Sequence, residues 1–236
     1  VYKVWITKVD DYAEGEGYFG FIESKSKTDN FKCVHGGGNP LDGNATVVIC
    51  KFRDLNGNGQ KDDGEPAMDG VSFTVNFYDK NGDLITPSSP MNPVVTGYDG
   101  EGTGCVTVTS GFIDRTLFPV SYTVVETVPD GYVQTQGTTG GTIADPDGFD
   151  IATFGNAKLL PICGVKYHDL NGNGSRDENE PGLADFEFTV TVTPASGVGG
   201  GSTEYTATSG ADGTWCLKDS DGNRLTFAEG ATISVV

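Results

Sequence analysis

At 236 residues and a formal charge of −18, the chain is too acidic for nucleic acid, because its 33 Asp and Glu side chains would repel phosphates. Two histidines and no CxxC pair argue against a zinc site, and no run approaches the roughly 18 apolar residues that cross a bilayer. With 35 glycines and 11 prolines among many Thr and Val, the composition favours strands joined by turns.

In chain order, VYKVWITKVDDYA opens at Val1 without an apolar leader, as expected of a processed chain or a segment of a longer one. Cys33 and the glycosylation acceptor pattern Asn44-Ala45-Thr46 follow. Next comes KFRDLNGNGQKDDGEP from Lys51, with a near copy, KYHDLNGNGSRDENEP, from Lys166, an offset of 115 residues. Each copy precedes an alternating run, VSFTVNFYD from Val71 and FEFTVTVTP from Phe186, which puts every second side chain on one face of a sheet. GTGCVTVT from Gly102 and GTWCLKD from Gly213 continue the match, now offset by 111. The acidic stretches DKNGD at 79–83 and DSDGN at 219–223 read as hairpin turns.

The string SYTVVETVPDGYV from Ser121 reads as a late strand and a turn, and Val1 onward parallels it; Gly43-Asn44-Ala45 likewise parallels Gly155-Asn156-Ala157. The expected organisation is therefore 1–46 as the end of one β-domain, 47–160 as a complete domain, and 161–236 as a second domain without its last strands. Two arrangements account for this. The chain is a window of a tandem array, or the second domain is completed by residues 1–46 of another copy through strand addition.

The copied segment has the spacing of a twelve-residue calcium loop. The first copy supplies Asp54, Asn56, Asn58, Gln60, Asp62 and Glu65, and the second Asp169, Asn171, Asn173, Ser175, Asp177 and Glu180. Ca2+ takes six to eight hard oxygens, here carboxylates, amides, a position-7 carbonyl and a position-12 carboxylate, with Gly59 and Gly174 making the bend. Asn at two positions where carboxylates could stand implies weak binding, on the order of 10⁻⁴ to 10⁻³ M, filled outside a cell. No amphipathic helix flanks either loop, so a clamp is expected rather than a switch or a dockerin-like module. A second acceptor pattern, Asn173-Gly174-Ser175, lies inside the loop, where a glycan would compete with the ion.

The order K-[FY]-x-D-L-N-G-N-G-x-x-D-x-x-E-P, alternating strand, G-T-x-C strand and Y-T-V-x-E-x-x-P-D-G-Y resembles the B repeats of Gram-positive Sdr adhesins. It also resembles the wider collagen-adhesin B-type, prealbumin-like domains. The resemblance covers roughly residues 47–236 and implies tandem all-β, Greek-key (Ig-like) sandwiches strung as a calcium-stiffened stalk. Cysteine is a departure from it. Cys50 and Cys105 hold places comparable to Cys163 and Cys216, so the bonds Cys50–Cys105 and Cys163–Cys216 are expected, with Cys33 left for another domain or chain. Some members of the wider family join a first-strand Lys to a last-strand Asn by an isopeptide bond, assisted by a buried acid. By motif position the candidates are Lys51, Glu126 and Asn156. The plainer expectation is a solvent-facing Lys, a surface Glu and a loop Asn, since calcium and disulfides already brace the domain.

No Ser-His-Asp or Cys-His set can be assembled, so an enzyme is not expected. The expected function is a structural repeat of an extracellular or cell-surface stalk, adhesin stem or filament, with copies of itself or neighbouring tandem domains as partners. The alternative is an adhesive module gripping a ligand through loops 87–93 or 197–202, although neither loop carries an aromatic side chain.

Overall fold

The computed structural model describes residues 42–85, 93–97 and 103–236. The expected N-terminal piece up to residue 41, Cys33, and residues 87–92 of the proline-rich loop lie outside them. No α-helix occurs among the described residues.

The first sandwich contains β1 (Asp42–Gly43), β2 (Thr46–Arg53), β3 (Ser72–Tyr78), β4 (Leu84–Ile85), β5 (Val94–Val95), β6 (Cys105–Thr109), β7 (Ile113–Asp114), β8 (Val120–Thr127), β9 (Tyr132–Gly137), β10 (Gly140–Ile143) and β11 (Phe149–Pro161). One sheet has the order β10-β8-β3-β4, with β5 also on β3; the facing sheet is built on β11-β2-β6, with β9 on β11. Strict alternation along β2 turns Val47 and Ile49 inward, and β3 does the same with Phe73, Val75 and Phe77. Together with Val108, Val120, Val124, Ala152 and Phe154 they form one core between the sheets.

The pairing of β11 with β2 is parallel and runs from Phe149↔Thr46 to Asn156↔Arg53. It joins the two ends of the domain side by side. Beyond it, Leu159, Leu160 and Pro161 pair with β16 (Thr226–Ala228) of the second unit. One strand thus passes from the first sandwich into the second without a linker. The second unit adds β12 (Cys163–Val165), β13 (Glu187–Thr193), β14 (Thr203–Thr208), β15 (Thr214–Cys216) and β17 (Thr232–Val235). Its sheets are β14-β13-β17 and β12-β15, around Ile162, Val190, Val192, Trp215 and Leu217, with Phe188 stacked on Trp215 at 5.0 Å.

Cys50 faces Cys105 across β2 and β6, and Cys163 faces Cys216 across β12 and β15; both pairs are bonded. Each bond closes more than fifty residues, and the chain-entropy model puts the stabilisation at about 4 kcal/mol. Replacing both Cys50 and Cys105 by Ala should lower the unfolding free energy by about 2–5 kcal/mol. A urea midpoint equal to that of the unaltered chain would show that the first bond contributes nothing.

Candidate functional site: a buried Lys–Glu–Asn triad and two acidic loops

The structure brings Lys51, Glu126 and Asn156 together inside the first sandwich. Lys51 lies on β2 and Asn156 on its parallel neighbour β11, while Glu126 comes from β8 in the facing sheet. The plainer expectation of surface residues fails: the Lys51 and Glu126 side chains have no solvent-exposed surface, and Asn156 is fully buried. Alternation is the cause. Val47, Ile49 and Lys51 share the inward face of β2, Tyr122, Val124 and Glu126 that of β8, and Ala152, Phe154 and Asn156 that of β11. The parity of these three polar residues with the apolar ones before them is the signal in the sequence that marks them as internal.

Phe154 stands beside Lys51 in the register and Phe73 beside Glu126, and the two rings meet edge-on at 4.8 Å. They wall the triad with apolar surface. Between Gly155 and Asn156 the pairing with β9 slips by a bulge, and a Cβ at Gly155 would lie 2.6 Å from the Phe52 ring, so only glycine fits there.

Glu126 Oε1 is the shared centre. It lies 3.3 Å from Lys51 Nζ and accepts a 2.6 Å hydrogen bond from Asn156 Nδ2. Lys51 Nζ is close to the carboxylate but not aligned for a hydrogen bond, and Glu126 Oε2 and Asn156 Oδ1 also lack partners. Desolvation pulls the Lys51 ammonium down from 10.5 to about 8, against the opposing pull of Glu126 and then Asp54. Burial thus shifts Lys51 toward its free-amine form relative to an exposed lysine. A buried, partly neutral amine beside a carboxylate that also holds a carboxamide is equipped for amide exchange.

In the second unit Lys166 meets a different environment, with Nζ over the Phe186 ring at 5.1 Å. Val190↔Val235 repeats the register of Val75↔Val124, so Val236 stands at the place of Val125 and the place of Glu126 is the next one along. The edge beside it is open among the described residues. Ile233 and Val235 are each 45% exposed, whereas their counterparts Tyr122 and Val124 are 2% and 1% exposed.

The two acidic loops share one internal wiring. Asp54 accepts from the Asn58 and Gly59 amides, and Asp169 from those of Asn173 and Gly174. Glu65 holds the Leu55 and Asp62 amides, and Glu180 those of Leu170 and Asp177. In each loop both Asn side chains aim Nδ2 at the middle Asp: Asn56 and Asn58 at Asp62, Asn171 and Asn173 at Asp177. The Gly174 amide, before its neighbours, holds the Asp169 carboxyl below its usual range.

No group of three His, Cys, Asp or Glu side chains converges on one point among the described residues. The donors nonetheless fit calcium in kind. All are hard oxygens, and the position-7 carbonyls come from Gln60 and Ser175; each Asn Oδ1 accepts from the backbone amide two residues on. By contrast, 79–83 and 219–223 are hairpin turns, closed by Asp79 N to Asp83 O and by Asp219 N to Asn223 O, both 2.9 Å. In the remaining acceptor pattern, Asn44 Oδ1 is enclosed and the following Ala45 is fully buried.

Sequence reasoning missed a contact between the two units. Arg53 forms a bidentate pair with Glu229 at 2.7 and 2.9 Å, and Gly197 N donates to Gly57 O at 2.6 Å. Gly197, in a loop that only the alternative adhesive reading left free for a ligand, is thus committed to the junction.

No family model matches the chain. Colossin-A of Dictyostelium discoideum is 26% identical over 166 residues, covering 58% of this chain; the chain spans about 1% of the length of that curated relative. Among solved structures, the shaft pilin SpaA of Lactobacillus rhamnosus GG is 14% identical, with 82% of each chain covered and a TM-score of 0.31. A streptococcal ancillary pilin is 17% identical, with 78% of this chain and 58% of that one covered and a TM-score of 0.34. The full-length RrgB pilus protein of Streptococcus pneumoniae is 14% identical, with 80% and 44% covered and a TM-score of 0.29.

Compared with a chain in which Lys51 and Asn156 are unlinked, Glu126→Ala strands the Lys51 ammonium in the core and should cost about 3–5 kcal/mol in urea unfolding at pH 7. The double change Lys51→Met with Glu126→Leu should recover most of that loss. A Glu126→Ala chain as stable as the unaltered, unlinked one would mean that Lys51 reaches water.

Proposed function

We propose that the chain is a structural repeat of an extracellular stalk, adhesin stem or filament, of the adhesin B-repeat kind. Its sandwiches are braced by disulfides, by Ca2+ in the two loops and, in the first, by an isopeptide bond. The observation that carries this reading is the seat of Glu126 Oε1 between Lys51 Nζ and Asn156 Nδ2. Each disulfide, expected only in an oxidising compartment, points the same way.

The neutral Lys51 amine attacks Asn156 Cγ. The Nζ–Cγ bond forms as the Cγ–Nδ2 bond breaks; Glu126 takes the amine proton and passes it to the departing nitrogen, which leaves as ammonia. Nothing is oxidised or reduced, and no second molecule is needed. The protein thus directs its chemistry at itself, once, and the product is a covalent tie between its first and last strands.

In the loops the ion would be held by Asp54, Asn56, Asn58, Asp62 and Glu65 with the Gln60 carbonyl, and by Asp169, Asn171, Asn173, Asp177 and Glu180 with that of Ser175. Calcium supplies charge neutralisation there and fixes the segment after each first strand. The open edge beside β17 suits a strand from the next repeat, supplied later in the same chain or by residues 1–46 of another copy.

Intact mass tests the central step. The folded chain should weigh less than its sequence by one ammonia, beyond the hydrogens lost to disulfides, and Lys51→Ala and Glu126→Ala chains should not. Freshly refolded protein should link faster as pH rises from 6 to about 8, the region where Lys51 loses its proton, and level off above it. A full-mass unaltered chain after long incubation at pH 8 would sink the bond. The clamp is tested separately: excess EGTA should lower the melting temperature, and an unchanged melting curve would remove calcium from the account.

A further inference from the structure

The two acidic loops share the carboxylate and Asn hydrogen bonds described above but differ in their surroundings. The first leaves β2 at Asp54, whose amide donates to Asn156 O at 2.9 Å; two residues further along β11, the Glu229 amide donates to Lys158 O at 2.8 Å. The loop therefore departs from the sheet where the second unit joins it. Within it Gly57 is buried and Asn58 and Gly59 are half-buried, while Asn56 stays exposed. A Cβ added at Gly57 would lie 2.4 Å from Ala195 Cβ and 2.6 Å from Glu229 O, and one at Gly197 would lie 2.6 Å from Gly59 N. On the other side, a Cβ at Gly59 would come within 2.9 Å of Thr135 O on β9. The Arg53–Glu229 pair closes the contact beside them. Around the second loop, Cβ atoms at Gly172 and Gly174 would meet nothing within 4 Å.

We propose that the first loop is a calcium-dependent joint: the ion it binds and the seating of the second domain on residues 56–59 favour one another, whereas the second loop binds its ion alone. This rests on the calcium reading above. The same short segment carries two ligand side chains, Asn56 and Asn58, and the contacts to Ala195, Gly197 and Glu229. Whichever partner arrives first fixes the backbone that the other needs, so the second pays less ordering cost. The coupling is reciprocal, as any equilibrium linkage must be. The ion would then stiffen the angle between domains as well as the domain that holds it.

Calcium titration calorimetry on the full chain tests this, with each loop silenced in turn. In an Asp169→Ala chain, where the first loop remains, Gly197→Ala wedges the contact apart and Glu229→Ala removes its ion pair. Neither residue is itself a ligand, and each change should weaken calcium about 5-fold or more. In an Asp54→Ala chain, the same changes should leave the second-loop affinity unaltered. Small-angle scattering gives a second reading: chelator should broaden the distance distribution of the Asp169→Ala chain and not that of the Asp54→Ala chain. First-loop affinity unchanged by both substitutions, with binding intact, would overturn the coupling alone. No heat at either loop of the unaltered chain would overturn the calcium reading, and the coupling with it.

Discussion

The parallel contact of β11 with β2 is the constraint on which the rest depends. A parallel neighbour cannot be reached by a tight turn, so the whole of the first domain must be laid down between them before they meet. That contact places the first and last strands side by side, aligns Phe154 with Lys51, and brings Asn156 to the same inner face two residues on. It also leaves the end of β11 free to continue into the second unit, where β16 takes it up. The triad, the core between the sheets and the domain junction are three outcomes of one pairing.

The triad shows how charge survives in such a place. Three polar groups in a wall of Phe73, Phe154 and valines would ordinarily be a liability, and several of their atoms lack hydrogen-bond partners. Native domains keep few groups in that condition, and a reaction that consumes them removes the cost. The proposed amide between Lys51 and Asn156 would be uncharged, so the nitrogen would stay in the core without the charge that desolvation penalises. The same strain that makes the unlinked core expensive makes the linked one favourable.

Much of this was legible in the sequence, for identifiable reasons. The loops declared themselves through fixed spacing and repetition, and the disulfides through equivalent positions in two repeats. The strands showed their period. Lys51, Glu126 and Asn156 were named by motif position, but their burial was not, because each reads locally as an ordinary polar residue next to a turn or loop. Only the parity of Val47, Ile49 and Lys51, and of its counterparts in β8 and β11, carried the information, and parity says nothing about which strands pair. The Arg53–Glu229 contact was invisible for a related reason: it joins residues 176 apart in sequence through a strand that the expected boundary at 160 would have cut. Gly197, a flexible-looking residue in a glycine run, gave no hint that it seats against Gly57.

The position of Lys51 and Asn156 also has a mechanical consequence. In the proposed stalk, tension would enter the first sandwich near the start of β2 and leave along the end of β11. The proposed covalent tie from Lys51 to Asn156 would carry that load directly from one strand to the other. Everything in the chain between those two residues, including the facing sheet and the core, would then hang as a closed loop beside the load path. Pulling would shear such a tie only by breaking a bond, and the sandwich itself would not have to resist the load.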